Sequence, residues 1–129
     1  MTKRYINVEK NRYYPPSKEY WNIPEVEPDN IIYFAHFPDT TYDNASENMG
    51  FFLEMVYLDG DEVKAEWRNP GDWDKIGAFI EKVKDKFTKR KVLRSPVYVG
   101  YFNKEMSPDI KIEDDSLIYK DKYRVDLSS

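Results

Sequence analysis

Residues 50–87, GFFLEMVYLDGDEVKAEWRNPGDWDKIGAFIEKVKDKF, have the pattern of a β-hairpin that leads directly into an amphipathic helix. Two segments of strand length, Phe51–Leu58 and Glu62–Arg68, flank the turn sequence Asp59-Gly60-Asp61. Glycine and aspartate between two such segments are a strong local hairpin signal, because glycine adopts the positive φ that a tight turn needs. The stretch therefore predicts two adjacent antiparallel strands.

The register of this hairpin depends on where Glu54 points. A two-residue turn would pair Glu54 with Ala65 among apolar neighbours, whereas a three-residue loop with a glycine bulge pairs Met55 with Ala65 and turns Glu54 outward. Burying an unpaired carboxylate costs several kcal/mol, which exceeds the ~1 kcal/mol that separates turn types. We therefore expect the three-residue loop and an outward-facing Glu54.

The helix is expected to begin after the sequence Asn69-Pro70-Gly71-Asp72, which supplies a capping residue followed by a first-turn proline. Beyond it, apolar residues recur at spacings of three and four, which is the period of one helix face. The members of this stripe are Trp73, Ile76, Ile80, Val83 and Phe87, with Phe79 beside them. We predict one amphipathic helix over about residues 72–89, with the stripe in the core and Ile80 at its middle.

Two further segments, Ile31–Phe37 and Pro96–Phe102, are apolar at almost every position. Continuous apolar runs of strand length indicate strands that are covered on both faces. Weaker strand patterns at 109–112, 117–119 and 123–127 have the composition of edge strands. The fold class predicted is α+β, a single domain in which a mostly antiparallel sheet carries the helix on one face.

The chain of 129 residues has the length of one domain, so residues 1–129 are assigned to a single unit. Within it, residues 9–30 form a segment rich in proline and aromatic residues. Each X-Pro bond favours extended backbone in the preceding residue. We expect this segment to wrap around the domain in an extended form.

Charge is distributed unevenly along the chain, although the net charge is only −4. Residues 21–66 contain eleven acidic residues and one basic residue, and residues 67–104 contain ten basic and four acidic residues. Carboxylates interleaved with aromatic rings suit a surface that attracts a basic protein partner and then buries rings against it. The residues predicted to bind the partner are Trp21, Tyr33, Asp39, Tyr42, Asp43, Glu47 and Tyr57.

A small, acidic, aromatic-rich and cysteine-free composition is typical of proteins that inhibit or neutralise another protein, as immunity proteins and phage-encoded anti-defence proteins do. The chain has no phosphate-cradling glycine loop, no nucleophile elbow and no paired histidine motif. We therefore expect a binding protein rather than an enzyme, with no cofactor and no metal.

Two alternatives remain open. His36, the single histidine, is followed at a spacing of three by Asp39, and this pair could serve a small nuclease or a nucleotide-processing enzyme as base and orienting carboxylate. The basic run Lys82–Arg94 lies near Tyr98 and Tyr101, a combination that could bind RNA or single-stranded DNA as an accessory protein. The acidic remainder of the chain would repel a polyanion, which makes nucleic acid the less favoured partner.

The absence of cysteine excludes disulfides and thiolate metal sites and fits a reducing compartment. No run of 18 apolar residues is present, and the first residues lack the apolar stretch of a signal peptide. We expect a cytoplasmic protein that makes no membrane contact. Nothing in the sequence indicates an oligomeric state.

Overall fold

The computed structural model describes residues 6–7, 10–11, 25–38, 51–68, 73–91, 99–114 and 116–126. The strands are β1 (Ile6–Asn7), β2 (Lys10–Asn11), β3 (Ile31–Pro38), β4 (Phe51–Asp59), β5 (Glu62–Arg68), β6 (Phe87–Lys91), β7 (Val99–Asn103), β8 (Ile110–Glu113), β9 (Ser116–Tyr119) and β10 (Tyr123–Asp126). The α-helix is α1 (Trp73–Val83), and short 3-10 turns lie at Pro28–Asn30, Lys84–Lys86 and Ser107–Asp109.

The strands form two sheets. A six-stranded sheet has the order β2-β5-β4-β3-β7-β6, and a four-stranded sheet has the order β1-β10-β9-β8. All pairings are antiparallel except for β2 with β5 and β1 with β10, in which a two-residue strand pairs in parallel. The prediction of an α+β domain with a mostly antiparallel sheet and one helix is confirmed.

The six-stranded sheet lies between two apolar layers. On one face, Phe79 and Val83 of α1 pack with Leu53, Met55 and other buried residues. On the other face, the four-stranded sheet contributes residues such as Leu117 to a second buried cluster. This arrangement explains why Ile31–Phe37 is almost continuously apolar, because β3 has no solvent-facing side over its buried positions, residues 31–36.

A bulge in β3 assigns its residues to these two layers. Ile31 pairs with Tyr57 and Tyr33 with Val56, so Ile32 is the extra residue. A bulge breaks the alternation of side chains, and Ile32 and Tyr33 both belong to the cluster between the sheets. Phe34 returns to the helix side, where its ring meets Phe79 edge to face at 5.1 Å.

The hairpin β4–β5 has a register that differs from both alternatives considered for it. Asp59 pairs with Glu62 and Glu54 with Trp67, so a two-residue turn of Gly60 and Asp61 closes the hairpin. Gly60 has φ of 65° and Asp61 does not have a positive φ, which is the sign pattern of a type II′ turn. The expected three-residue loop was wrong, and Glu54 is fully buried rather than outward-facing. The residues that cover Glu54 are remote from it in sequence, so the energies of local strand pairing could not predict that Glu54 is buried.

The three weak C-terminal strands form where they were predicted, but they do not lie at the edges of the main sheet. They build the second sheet, in which β9 is an inner strand with all four residues buried. Short hairpin connections let these strands pair with one another, and the apolar side of that pairing then covers the six-stranded sheet.

The helix is shorter than the predicted span of 72–89. It ends at Val83, a 3-10 turn follows, and Phe87 is the first residue of β6, where it pairs with Asn103. Phe87 still contacts the helix-side cluster, with its ring 5.1 Å from that of Phe34. Phe87 could reach this core either as the last residue of a longer helix or as the first residue of a strand. Its pairing with β7 favours the strand.

We predict that replacing Ile76, which has no exposed surface, by alanine lowers the free energy of unfolding by ~2 to 5 kcal/mol. Ile80→Ala serves as the matched control, because Ile80 is only partly buried and its loss should cost less. Urea denaturation of both variants tests this ranking. Equal losses would contradict the difference in burial between Ile76 and Ile80 along the same face of the helix.

Candidate functional site

His36 lies on β3 at the helix side of the main sheet, opposite Leu53 of β4 and Val99 of β7. Its side chain is only 7 % exposed. Its ring stacks on that of Tyr101 at 5.7 Å, and its Nε2 is 3.4 Å from the Tyr101 hydroxyl, which is at the long end for a hydrogen bond. Tyr101 in turn stacks on Phe34 at 4.6 Å. The histidine therefore continues a row of aromatic rings in the core.

The surroundings keep both polar rings of this row neutral. Burial, and secondarily the positive charge of Lys89, lower the pKa of His36 below its usual value. Burial raises the pKa of Tyr101. A neutral imidazole retains the lone pair that a general base needs. Asp39, the carboxylate predicted to orient it, lies outside the described residues.

A second polar arrangement occupies the helix side of β4 and β5. The hydroxyl of Tyr57 donates a hydrogen bond of 2.5 Å to Oε1 of Glu66, and Arg68 forms an ion pair with the same carboxylate. Burial, followed by the hydrogen bond to Glu66, raises the pKa of Tyr57 well above its usual range. The phenol therefore stays protonated and keeps donating to Glu66. Charges of opposite sign balance here, which suits a structural network.

The residues predicted to bind a partner fall into three groups. Tyr33 is fully buried between the two sheets, its ring 5.0 Å from that of Phe102, so it has no surface to present to a partner. Tyr57 is half-buried and engaged with Glu66. The remaining five, Trp21, Asp39, Tyr42, Asp43 and Glu47, lie outside the described residues and stay predictions.

The basic run Lys82–Arg94 does not form one patch in the part of it that is described. Lys84 forms an ion pair with Glu81, and Lys86 forms one with Asp29. Lys89 and Arg90 lie on opposite faces of β6, because neighbouring residues of a strand point to opposite sides. The cations of this run are thus partly neutralised and partly divided between two faces.

The turn of the β4–β5 hairpin carries exposed carboxylates, which the sequence analysis treated only as turn residues. Asp59, Asp61 and Glu62 are all exposed. Asp59 is paired with Lys64 at 2.6 Å, whereas no cation among the described residues pairs with Asp61 or Glu62. The hydroxyl of Tyr123 in the second sheet donates to the Asp61 carbonyl oxygen at 3.1 Å. Two exposed carboxylates are therefore held at a turn that Tyr123 anchors, and we call them the acidic tip (Asp61 and Glu62).

A groove of about 720 Å³ runs between the segment before β3 and the exposed side of α1. Glu25 and Glu27 line it together with Lys75 and Lys82, and Phe79 is among its apolar lining residues. Two carboxylates and two ammonium groups leave this groove without a net charge.

The described part of the chain contains neither a cluster of metal-ligating side chains nor a membrane-spanning helix. No group of three or more histidine and acidic side chains there is arranged to hold a metal ion. No helix there combines the length and apolar content needed to cross a bilayer.

Comparisons with protein-family models, with curated proteins and with solved structures give no match for this chain.

We predict that stability falls as the pH drops below about 6.5, because unfolded His36 takes up a proton there while the folded form resists it. Because the pKa of His36 is lowered in the folded state, its contribution to the free energy of unfolding is fully present above pH 6.5. The contribution is lost as the pH falls from 6.5 through the pKa of the folded state. One proton limits the slope to ~1.4 kcal/mol per pH unit. Urea denaturation between pH 7.5 and 5.5 measures it. His36→Phe should reduce the slope, and an unchanged slope would contradict the assignment to His36.

We also predict that Tyr57→Phe lowers the free energy of unfolding by about 1 to 2 kcal/mol, because the substitution removes a hydrogen bond to a charged group at a partly buried site. Tyr123→Phe is the control, since it removes an exposed hydrogen bond to a neutral carbonyl and should cost less. Thermal denaturation of both variants measures these losses. A Tyr57→Phe variant as stable as the wild type would show that the hydrogen bond to Glu66 does not stabilise the fold.

Proposed function

We propose that this protein is a small acidic binding protein of the cytoplasm that inhibits or neutralises a protein partner with a basic surface, in the manner of immunity proteins and phage anti-defence proteins. The observation that carries the proposal is the acidic tip. Its two carboxylates are exposed, and neither forms an ion pair with a cation of the described residues, although Glu62 interacts electrostatically with Lys64.

The backbone under the acidic tip is anchored at several points. Gly60 provides the positive φ of a tight two-residue turn, and Tyr123 ties the turn to the second sheet. Lys64 bonds Asp59 just before the turn. Carboxylates on an anchored turn lose less conformational entropy on binding than carboxylates on an unrestrained loop. A partner with basic residues would be steered to this tip and bound there.

Both alternative functions have weaker support. An RNA-binding surface needs several unpaired cations on one face. Lys84 and Lys86 each form an ion pair with a carboxylate, and Lys89 and Arg90 lie on opposite faces of β6. An enzyme that uses His36 needs substrate access to its ring, and this ring is packed against Tyr101 with 7 % of the residue exposed. Acidic residues 39, 43 and 47 remain predicted contributors to the binding surface.

The proposal is tested by affinity capture from a nuclease-treated lysate of the native host at about 50 and 300 mM salt. Asp61→Lys with Glu62→Lys should reduce capture of the partner by about ten-fold at low salt, since two charges are reversed in the contact. The captured partner is then assayed for its own activity, which an equimolar amount of the wild-type protein should abolish.

The matched control is Glu105→Lys with Glu113→Lys, which changes the net charge equally at exposed positions of other elements. Its capture should equal that of the wild type. A second arm reverses Asp39, Asp43 and Glu47 together and should also weaken capture. If both acidic reversals leave capture unchanged, or if capture requires nucleic acid and Lys89 with Arg90, the proposed function is wrong.

A further inference from the structure

Among the described strands, β6 is the last strand of the main sheet on the side of β7. It pairs with β7 on one side, and no strand of the described residues pairs with its other side. At five residues it is the longest of the four terminal strands of the two sheets, since β1 and β2 have two residues each and β8 has four. A free edge exposes unpaired backbone N–H and C=O groups, which can pair with a strand of another chain.

Two exposed side chains of this edge are cationic, one on each face of the sheet, and the exposed Thr88 between them and Phe87 is uncharged. Lys89 is opposite Tyr101, on the helix side. Arg90 is on the other side, with its guanidinium carbon 5.3 Å from the centre of the Phe102 ring. Both residues are exposed, and neither is paired with a carboxylate among the described residues. The flanking Lys84 and Lys86, in contrast, are each paired with one.

This charge pattern decides which strand the edge accepts. A second copy of β6 in antiparallel pairing would bring Lys89 and Arg90 next to the same cations, and like charges in cross-strand positions are destabilising. Lysines on an edge strand protect natural sheets from this kind of self-association. A strand with carboxylates at these positions would instead gain two ion pairs. The edge therefore discriminates between a copy of itself and an acidic strand.

We propose that β6 is a docking site for an extended acidic segment of another protein, which adds to the main sheet as a seventh strand. Because Lys89 and Arg90 are adjacent and point to opposite faces, two adjacent acidic residues of the added strand meet both cations. Phe87 is buried at the start of β6 and anchors the strand against the core. The motif expected in the partner is a pair of consecutive carboxylates flanked by β-branched residues.

This inference is independent of the proposed function. The acidic tip belongs to the turn between β4 and β5 and attracts cations, whereas the β6 edge attracts anions through different residues. Failure of either one leaves the other unaffected, because the acidic tip is tested by reversal of Asp61 and Glu62 in partner capture, whereas the edge is tested by reversal of Lys89 and Arg90 in peptide binding.

The test uses a short synthetic peptide with two adjacent glutamates at its centre and threonine and valine on either side. Fluorescence anisotropy should give saturable binding with a Kd on the order of 10 to 100 µM, which is weak because a five-residue edge is small. Amide hydrogen exchange of β6 should slow when the peptide is bound. The pKa of His36, measured by NMR, should rise, since a carboxylate beside Lys89 offsets the charge that lowers this pKa.

Three controls separate strand addition from general charge attraction. A peptide of the same charge with proline residues in its flanks cannot form the backbone ladder and should not bind. The double variant Lys89→Glu with Arg90→Glu should no longer bind the glutamate peptide and should instead bind a peptide with two central lysines. Lys104→Glu with Lys120→Glu, an equal charge change at other exposed sites, should bind the glutamate peptide as the wild type does.

The proposal is overturned by an absence of saturable binding up to about 1 mM peptide, or by equal binding of the proline peptide. Retention of binding by the Lys89 and Arg90 double variant would also overturn it. Tighter binding of a single-stranded oligonucleotide at the same two residues would assign the edge to nucleic acid instead.

Discussion

Burial of the central strands on both faces is the constraint on which the rest of the structure depends. Residues 31–36 of β3 and residues 53–56 of β4 are all buried, and their side chains are divided between the helix layer and the second sheet. A sheet covered on both sides needs two apolar layers, and α1 supplies only one. The C-terminal strands therefore supply the other, which is why three short strands of modest hydrophobicity form a sheet of their own.

Burial on both faces also determines how polar groups are accommodated. Asn103 is buried, and its side-chain amide donates to the Ile31 carbonyl oxygen at 2.8 Å while its side-chain oxygen accepts from the Glu105 N–H at 3.0 Å. Glu66 is held between Tyr57 and Arg68. Such groups are tolerated in a low-dielectric interior because they are hydrogen-bonded or ion-paired. Among the described residues, exposed charges that form no ion pair are found at the periphery, for example at the acidic tip and on the β6 edge.

The two proposed interaction surfaces follow from this division. An inner strand such as β3 has no backbone group left for a partner, whereas a hairpin tip and an edge strand have exposed groups. His36, in contrast, lies on the inner strand β3 and is buried. Its place in an apolar strand suggested either packing or catalysis, and its contacts with Tyr101 belong to the packed core. The acidic tip could have been recognised from the sequence by asking what a strong hairpin signal with three acidic residues presents to solvent.

The sequence by itself determined the features that depend on near neighbours. The turn at Gly60, the amphipathic helix that contains Ile76 and the strand character of residues 31–37 follow from local φ preferences and hydrophobic period, whereas the predicted capping sequence 69–72 lies outside the described residues. Only the tertiary structure decided the hairpin register, the burial of Glu54, the end of the helix at Val83 and the separate second sheet. Each of these depends on pairing or covering by residues distant along the chain. The free energy gained from these long-range contacts exceeds the small free-energy differences between one turn type, or one helix end, and another.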